Sequence, residues 1–508
     1  MGAALLGAVC LSACGLTVQP TGTASIGTQS GPDQGLGAPA PAPAGTSDAP
    51  TATTATGNAG AVAPPVVTGG TTTGATASGG RPAAASTTRA GRTTAPTARS
   101  AAATTAGPSK AASTAPVLVG YLVAHDTGAA FSSLGYSGIS TGNGAVQAQT
   151  AAALVTSLGG IAGRPITPVV FELDATSDLN TQLQAACSRF FEDNHVQAVV
   201  ATIFPGTLAT CAAQHQVPFV VVNNQTFNDA TLAAQPTTIL AQEMSYERVA
   251  AALVPALVRQ GWFTPASATE QVTIGLITND GPDWAGVQPA VSAALKAAGL
   301  TLKDTFAMPS TASGISAAAS AGQSAALKFR SDGINRVIAI DQGGFGLSWF
   351  GVDAATQNYY PRLGVSSLST PQTEALVLSK KTMAGMAGIG WLPVVDVLDA
   401  EQPVLSARQA PCDKAMAAAG EKATGLPKLG QHDACEGTWI LADAWKSGEI
   451  TLAGFEKGLA ALGTSHSSIT TFGTDFTRKG GAVTKYRDIA FDAGCGCLHY
   501  GATTYAAP

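Results

Sequence analysis

Between Val117 and Val222 the chain alternates short, almost wholly apolar runs with longer stretches of helical character. Val117 to Val123, Ile166 to Leu173, Val196 to Thr202 and Val217 to Val222 read as strands. An Ala-rich run ending at Gly159-Gly160-Ile161-Ala162-Gly163-Arg164-Pro165, the stretch Leu179 to Asp193 and a short segment after the third strand read as helices. Strands that are apolar at nearly every position have both faces covered, which requires a parallel sheet flanked by helices. After a polar turn at Asn223 to Thr226 and a helix beginning near Met244, the pattern repeats. Its strands are Val272 to Thr278, Leu300 to Met308, Arg336 to Asp341 and Arg362 to Val365, with helices at about Trp284 to Ala298, Ile315 to Arg330 and Thr373 to Lys380. The fold class is therefore α/β, with two Rossmann-like lobes built on parallel sheets. Open sheets of this kind take ligands at the carboxyl ends of their strands. Here those ends carry Asn279-Asp280-Gly281-Pro282-Asp283-Trp284 and Asp341-Gln342-Gly343-Gly344-Phe345-Gly346.

The amino-terminal stretch has a different character. Residues Ala3 to Val9 are apolar and lead into Leu11-Ser12-Ala13-Cys14. That tetrapeptide resembles the lipobox of bacterial lipoproteins, which implies a signal peptide over 1–13 and acylation of Cys14. Met1-Gly2-Ala3 lacks the basic residue that opens a secretory signal, which leaves room for a true start further upstream. A diacyl anchor would supply the two chains that stable membrane attachment needs. Residues 14–115 are rich in Ala, Gly, Pro, Ser and Thr and poor in large apolar residues, so they are expected to form a disordered linker. A coil of about 100 residues spans on the order of 50 to 60 Å.

Charge narrows the partners. The sequence of 508 residues carries 27 Lys and Arg against 32 Asp and Glu, a net charge of -5 without a basic stripe, which argues against nucleic acid. No apolar run of about 18 residues follows Cys14, so no spanning helix is expected. Beyond Cys10 and Cys14 the cysteines are Cys187, Cys211, Cys412, Cys435, Cys495 and Cys497. An even set in an exported domain suggests disulfides, although six cysteines leave the connectivity open. The favoured pairs are Cys187 with Cys211 on helices flanking the third strand, Cys412 with Cys435 across a Gly/Pro-containing loop, and Cys495 with Cys497 in a tight ring. Cys-Gly-Cys-Leu-His, ending at His499, offers a metal-site reading that lacks a second ligand cluster.

From Pro116 to about Tyr500 the chain resembles the type I periplasmic binding proteins, the branched-chain amino-acid-binding branch of ABC-transporter receptors. The resemblance rests on the opening strand and Thr-Gly loop at Gly120 to Gly128, the turn at Gly159 to Pro165, the stretch Asp174 to Gln184, the Cys187/Cys211 spacing and Gly343-Gly344-Phe345. It implies two lobes joined by a three-crossover hinge, 116–240 with about 370–480 and 241–369 with about 481–508. It further implies closure on a small-molecule ligand, delivery to an ABC permease, no catalysis and no cofactor. The expected receptor is monomeric, anchored through Cys14 at the extracytoplasmic face of the cell membrane. The same fold also suits a surface sensor or a cell-wall scaffold.

By position, the resemblance implies ligand contacts from Thr207 at a helix start, from Asn223, Asn224 and Thr226 at the next strand end, and from Trp284 and Phe345 as apolar walls. Amino-acid receptors of this family hold the ligand ammonium with a second-lobe acid. No acid follows Gly-Gly-Phe here, so either Asp341, Asp280 or Asp283 takes that role or the ligand lacks an ammonium group. Enzyme motifs are absent. Gly135-Tyr136-Ser137-Gly138 has the wrong spacing for a nucleophile elbow, and His125-Asp126 and His432-Asp433 are adjacent pairs on apparent loops.

Overall fold

The computed structural model describes residues 114–125, 140–174, 179–202, 206–223, 225–309, 315–422, 424–478 and 480–508. The signal peptide, Cys14 and almost all of the linker lie outside the described residues.

The first sheet consists of β1 (Val117–Ala124), β2 (Ile166–Leu173), β3 (Ala198–Ala201), β4 (Phe219–Val221) and β5 (Thr238–Leu240), in the order β2-β1-β3-β4-β5. Every pairing is parallel, and β1 meets β2 in unbroken register from Val117 opposite Ile166 to Ala124 opposite Leu173. Alternation within apolar strands explains the two-sided core. Val119, Tyr121 and Val123 of β1 face one buried cluster while Leu122 faces another. The second sheet runs β12-β11-β10-β9-β8-β6-β7. Its parallel part is β6 (Ile274–Asn279), β7 (Leu302–Met308), β8 (Arg336–Ala339), β9 (Arg362–Ser366) and β10 (Ala387–Gly390). The antiparallel hairpin β11 (Lys485–Asp492) and β12 (Cys497–Ala506) completes the edge. Here too the strands divide between two faces: Ile338 and Ile340 pack to one side of β8, Val337 and Ala339 to the other.

The chain passes between lobes more than once. It leaves the first sheet after β5, and the helix Tyr246–Arg259 packs in the core of the second lobe. The return expected near residue 370 comes later, because β10 still belongs to the second sheet. Beyond it, the helices Gln409–Ala418, Leu426–Ala444 and Leu452–Leu462 place Cys412, Met416, Trp439, Trp445 and Phe455 in the first-lobe core. The last passage leads through Ala482, whose N–H donates to Leu240 O, into β11.

Disulfides join Cys187 to Cys211, Cys412 to Cys435 and Cys495 to Cys497. The first ties the helix Leu179–Cys187 to the helix Gly206–Gln214, and the second ties the helix Gln409–Ala418 to the helix Leu426–Ala444. No helix among the described residues is long and apolar enough to cross a membrane.

Candidate functional site

Each sheet reverses its strand order at one place: between β1 and β3 in the first, between β6 and β8 in the second. Connections from the carboxyl ends of these neighbours leave toward opposite faces, so a crevice opens there. The loop after β1 and residues 203–205 after β3 lie largely outside the described residues. The loops after β4, β6 and β8 are described, apart from Asn224, and carry most of the expected contacts.

On the first lobe, Asn223 follows β4 and is buried. Its Oδ1 accepts the Gln225 N–H at 2.9 Å, while its Nδ2 has no partner among the described residues. A buried amide donor left without an acceptor is costly, so this group is poised for one. Thr226 is differently employed: its hydroxyl donates to Met244 O at 2.5 Å and ties the strand end to the crossover. Thr207 is exposed near the start of the helix Gly206–Gln214. Asn224 and the side chain of Phe345 fall outside the described residues.

On the second lobe, Trp284 closes the short turn Pro282–Trp284 after β6 and is only 8% exposed. Its indole lies against the Tyr246 ring, with centroids 4.2 Å apart at 34°. Tyr246 begins a helix whose N-cap, Ser245, accepts the Arg248 N–H. Both rings belong to the second-lobe core, and the wholly buried Tyr246 backs Trp284 from the crossover side. The turn also meets the first lobe directly. Asn228 Nδ2 donates to Asp283 O at 2.9 Å and the Thr231 hydroxyl to Asp283 Oδ1 at 3.2 Å.

Asp341 does not face an open crevice. It is fully buried, accepting the Leu347 N–H and the Ser369 hydroxyl, each at 3.0 Å, and so caps the helix Phe345–Thr356. Burial raises its carboxyl to about 6, with those hydrogen bonds opposing the rise. Glu374 is also buried and accepts the Ser348 hydroxyl at 2.7 Å. Burial pushes it well above the ordinary carboxylate range. Two left-handed glycines, Gly343 and Gly344, turn the chain over these acids. Of the three acids named for an ammonium role, Asp341 is thus held inward and Asp283 bridges to Thr231, while Asp280 is exposed.

Further back, between the lobes, Glu243 is wholly buried. Burial pushes it well above the usual range, and the neighbouring Asp396 and Asp433 add to the shift. Asp433 accepts from Gln242 Nε2 at 2.8 Å, whereas its neighbour His432 pairs with Asp413 at 2.7 Å. The adjacent His-Asp residues therefore serve separate partners and do not form an acid-base pair.

A family model described as periplasmic binding protein matches residues 116–487. No curated protein matches the sequence. Among solved structures, a substrate-binding protein from Aeropyrum pernix aligns with TM-score 0.57 at 16% identity, covering 78% of this chain and 97% of its own. An ABC transporter substrate-binding protein from Desulfitobacterium hafniense, solved with leucine, aligns with TM-score 0.53 at 16% identity, covering 76% and 100%. A solute-binding protein from Rhodopseudomonas palustris HaA2, solved with p-hydroxybenzoic acid, aligns with TM-score 0.53 at 13% identity, covering 77% and 97%. The two sheets, each with one switch point, and a family match over most of its length place the chain in the type I periplasmic binding protein family, whose members bind substrates rather than transform them.

Proposed function

We propose that the chain is a lipid-anchored extracytoplasmic receptor that captures a small organic solute between its lobes and delivers it to an ABC permease. The apolar run ending in Leu11-Ser12-Ala13-Cys14 supports the anchor, and family membership supports the transport role. For the ligand, the carrying observation is that Asp341 is spent on capping a helix. Such a site favours a solute without an ammonium group. The Asn223 amide donor, without a partner among the described residues, suits a carboxylate or carbonyl acceptor, and Trp284, backed by the Tyr246 ring, suits a flat or branched apolar body. Relatives of the same fold solved with leucine and with a hydroxybenzoic acid span the two alternatives.

A thermal-shift screen of the purified protein against aromatic acids, aliphatic acids, amides and amino acids tests this reading. A solute bound only by the folded state raises stability by about 2.7 kcal/mol at a hundredfold excess over Kd. The expected result is a shift with organic acids or amides that is lost in Trp284→Ala. A shift confined to amino acids would restore an ammonium partner to the site, and no shift with any class would remove the solute-receptor reading.

A further inference from the structure

The hairpin joining β11 to β12 carries a second chemically equipped site, at the edge of the second sheet. Cys497 and His499 stand two residues apart on β12 and therefore share a face, and Cys495 lies two residues before Cys497. Gly496, with φ of 72°, supplies the left-handed turn between the cysteines. His499 Nε2 sits 3.3 Å from Cys495 Sγ and 3.3 Å from Cys497 Sγ. Glu401 Oε2 lies 3.5 Å from the other ring nitrogen, Nδ1, and Asp492 Oδ2 lies 3.9 Å from Nε2. The Cys497 N–H points at Cys495 Sγ over 3.2 Å. Lys380 donates to Ala493 O at 3.2 Å and packs its Nζ over Gly496, which adds positive charge above the ring.

Accessibility separates this disulfide from the others. Cys495 is exposed and Cys497 is buried. Cys412 and Cys435 are completely buried, and Cys211 is buried beside a half-buried Cys187. A disulfide with one open sulfur, an imidazole against both sulfurs and a carboxylate behind the imidazole has the groups that thiol-disulfide exchange requires.

We propose that Cys495-Gly496-Cys497, with His499 and Glu401, is a thiol-disulfide exchange centre acting on exported proteins that carry a pair of thiols. Glu401 holds a proton on Nδ1, so Nε2 takes the proton of an incoming thiol. The resulting thiolate attacks exposed Cys495 Sγ, the Cys495–Cys497 bond breaks, and Cys497 leaves as a thiolate that receives the proton from Nε2. The second thiol of the partner then attacks the partner sulfur of the mixed disulfide, and Cys495 departs with the second proton. One partner dithiol becomes a disulfide, and one disulfide here becomes two thiols, with two electrons and two protons transferred. Exchange with a more oxidising protein disulfide reverses the change.

The test treats the full chain with reduced glutathione, quenches in acid, alkylates and maps the three disulfides by peptide mass. Cys495–Cys497 is expected to open at least about tenfold faster than either other bond. Cys497→Ser, treated instead with oxidised glutathione, should accumulate a glutathione adduct on Cys495, the other glutathione half leaving as a thiol. His499→Asn should slow opening of Cys495–Cys497 about tenfold while leaving the other two bonds and the melting temperature unchanged. Equal opening rates for all three bonds, or a full rate in His499→Asn, would make this a structural disulfide and overturn the proposal.

Discussion

Asp341 shows how one residue can look like a ligand partner and serve the fold. It lies two residues past the end of β8 and just before a glycine turn, the usual address of a binding acid. The glycines that follow instead fold the helix Phe345–Thr356 back over it, so its oxygens meet Leu347 N–H and the Ser369 hydroxyl. Replacing it with Ala leaves a buried N–H without an acceptor, which costs about 1 to 3 kcal/mol. Asp341→Ala should therefore lower the melting temperature by several degrees. Asp341→Asn should be far milder, because an amide oxygen still accepts from Leu347 and Ser369 can turn its hydroxyl to accept. Neither change should alter solute affinity more than about twofold, measured by calorimetric titration. Loss of binding in Asp341→Asn at full stability would return the acid to the ligand. The residues at the crevice were legible as loop positions, but their employment was not. Thr226 and Asn223 stand three apart in one polar turn, and only packing against the crossover decides that the first is committed to Met244 while the second keeps a donor with no partner among the described residues.

At the scale of elements, legibility followed the length and purity of the apolar pattern. β1, almost wholly buried, and β2, at the sheet edge, are both long apolar runs, and their limits agree closely with the sequence reading. β10, with sequence Ala-Gly-Ile-Gly, has too few side chains to signal a strand and is held by its neighbours β9 and β11. Its omission moved the expected lobe boundary. The hairpin β11–β12 lies at the sheet edge, where one side is open and its polar residues hide the alternation. The helix Phe345–Thr356 escaped notice because Gly343-Gly344 reads as a loop and because Gly346 and Gly351 interrupt the helical pattern. That glycine turn is itself a demanding element. Gly344 has φ of 77°, and a Cβ there would overlap Glu374 Oε1 and Ser369 O. The left-handed conformation alone costs an ordinary residue about 1 to 2 kcal/mol. Gly344→Ala should lose more than about 2 kcal/mol in urea unfolding, since neither obstructing atom belongs to a free chain end. A loss below about 0.5 kcal/mol would show that the turn relaxes and does not hold the acids in place.

Across the whole molecule, buried carboxyl groups dominate the electrostatics and set the direction of its response to pH. Asp341 is raised to about 6 and Asp396 to about 7, in both cases chiefly by burial. Glu243, Glu374 and Asp433 are raised well above their ordinary values, again chiefly by burial. Each such group keeps a proton in the folded chain at a pH where the unfolded chain has released it. Its contribution is therefore fully present below the unfolded value near 4 and is lost as pH rises through the folded value. His466 acts in the same direction at higher pH. Its burial opposes protonation, but Glu436 and Asp443 outweigh this and raise it to about 9, so its contribution is lost as pH climbs from about 6.5 through about 9. Opposed to these are Glu436, held low by His466 against the effect of burial, and Asp443, held at about 2 by His466 and Arg408 against the same effect. Their stabilisation is present above the unfolded carboxylate values and fails only in stronger acid. The melting temperature should accordingly peak near about pH 5 and fall by several degrees toward pH 8, a change on the order of a few kcal/mol. Calorimetric scans across that range measure it directly. Glu243→Gln supplies the control, because a neutral side chain of the same shape removes one titrating group from between the lobes and should flatten the decline. A melting temperature that rises from pH 5 to pH 8 would mean that these carboxylates are charged and paired within the fold.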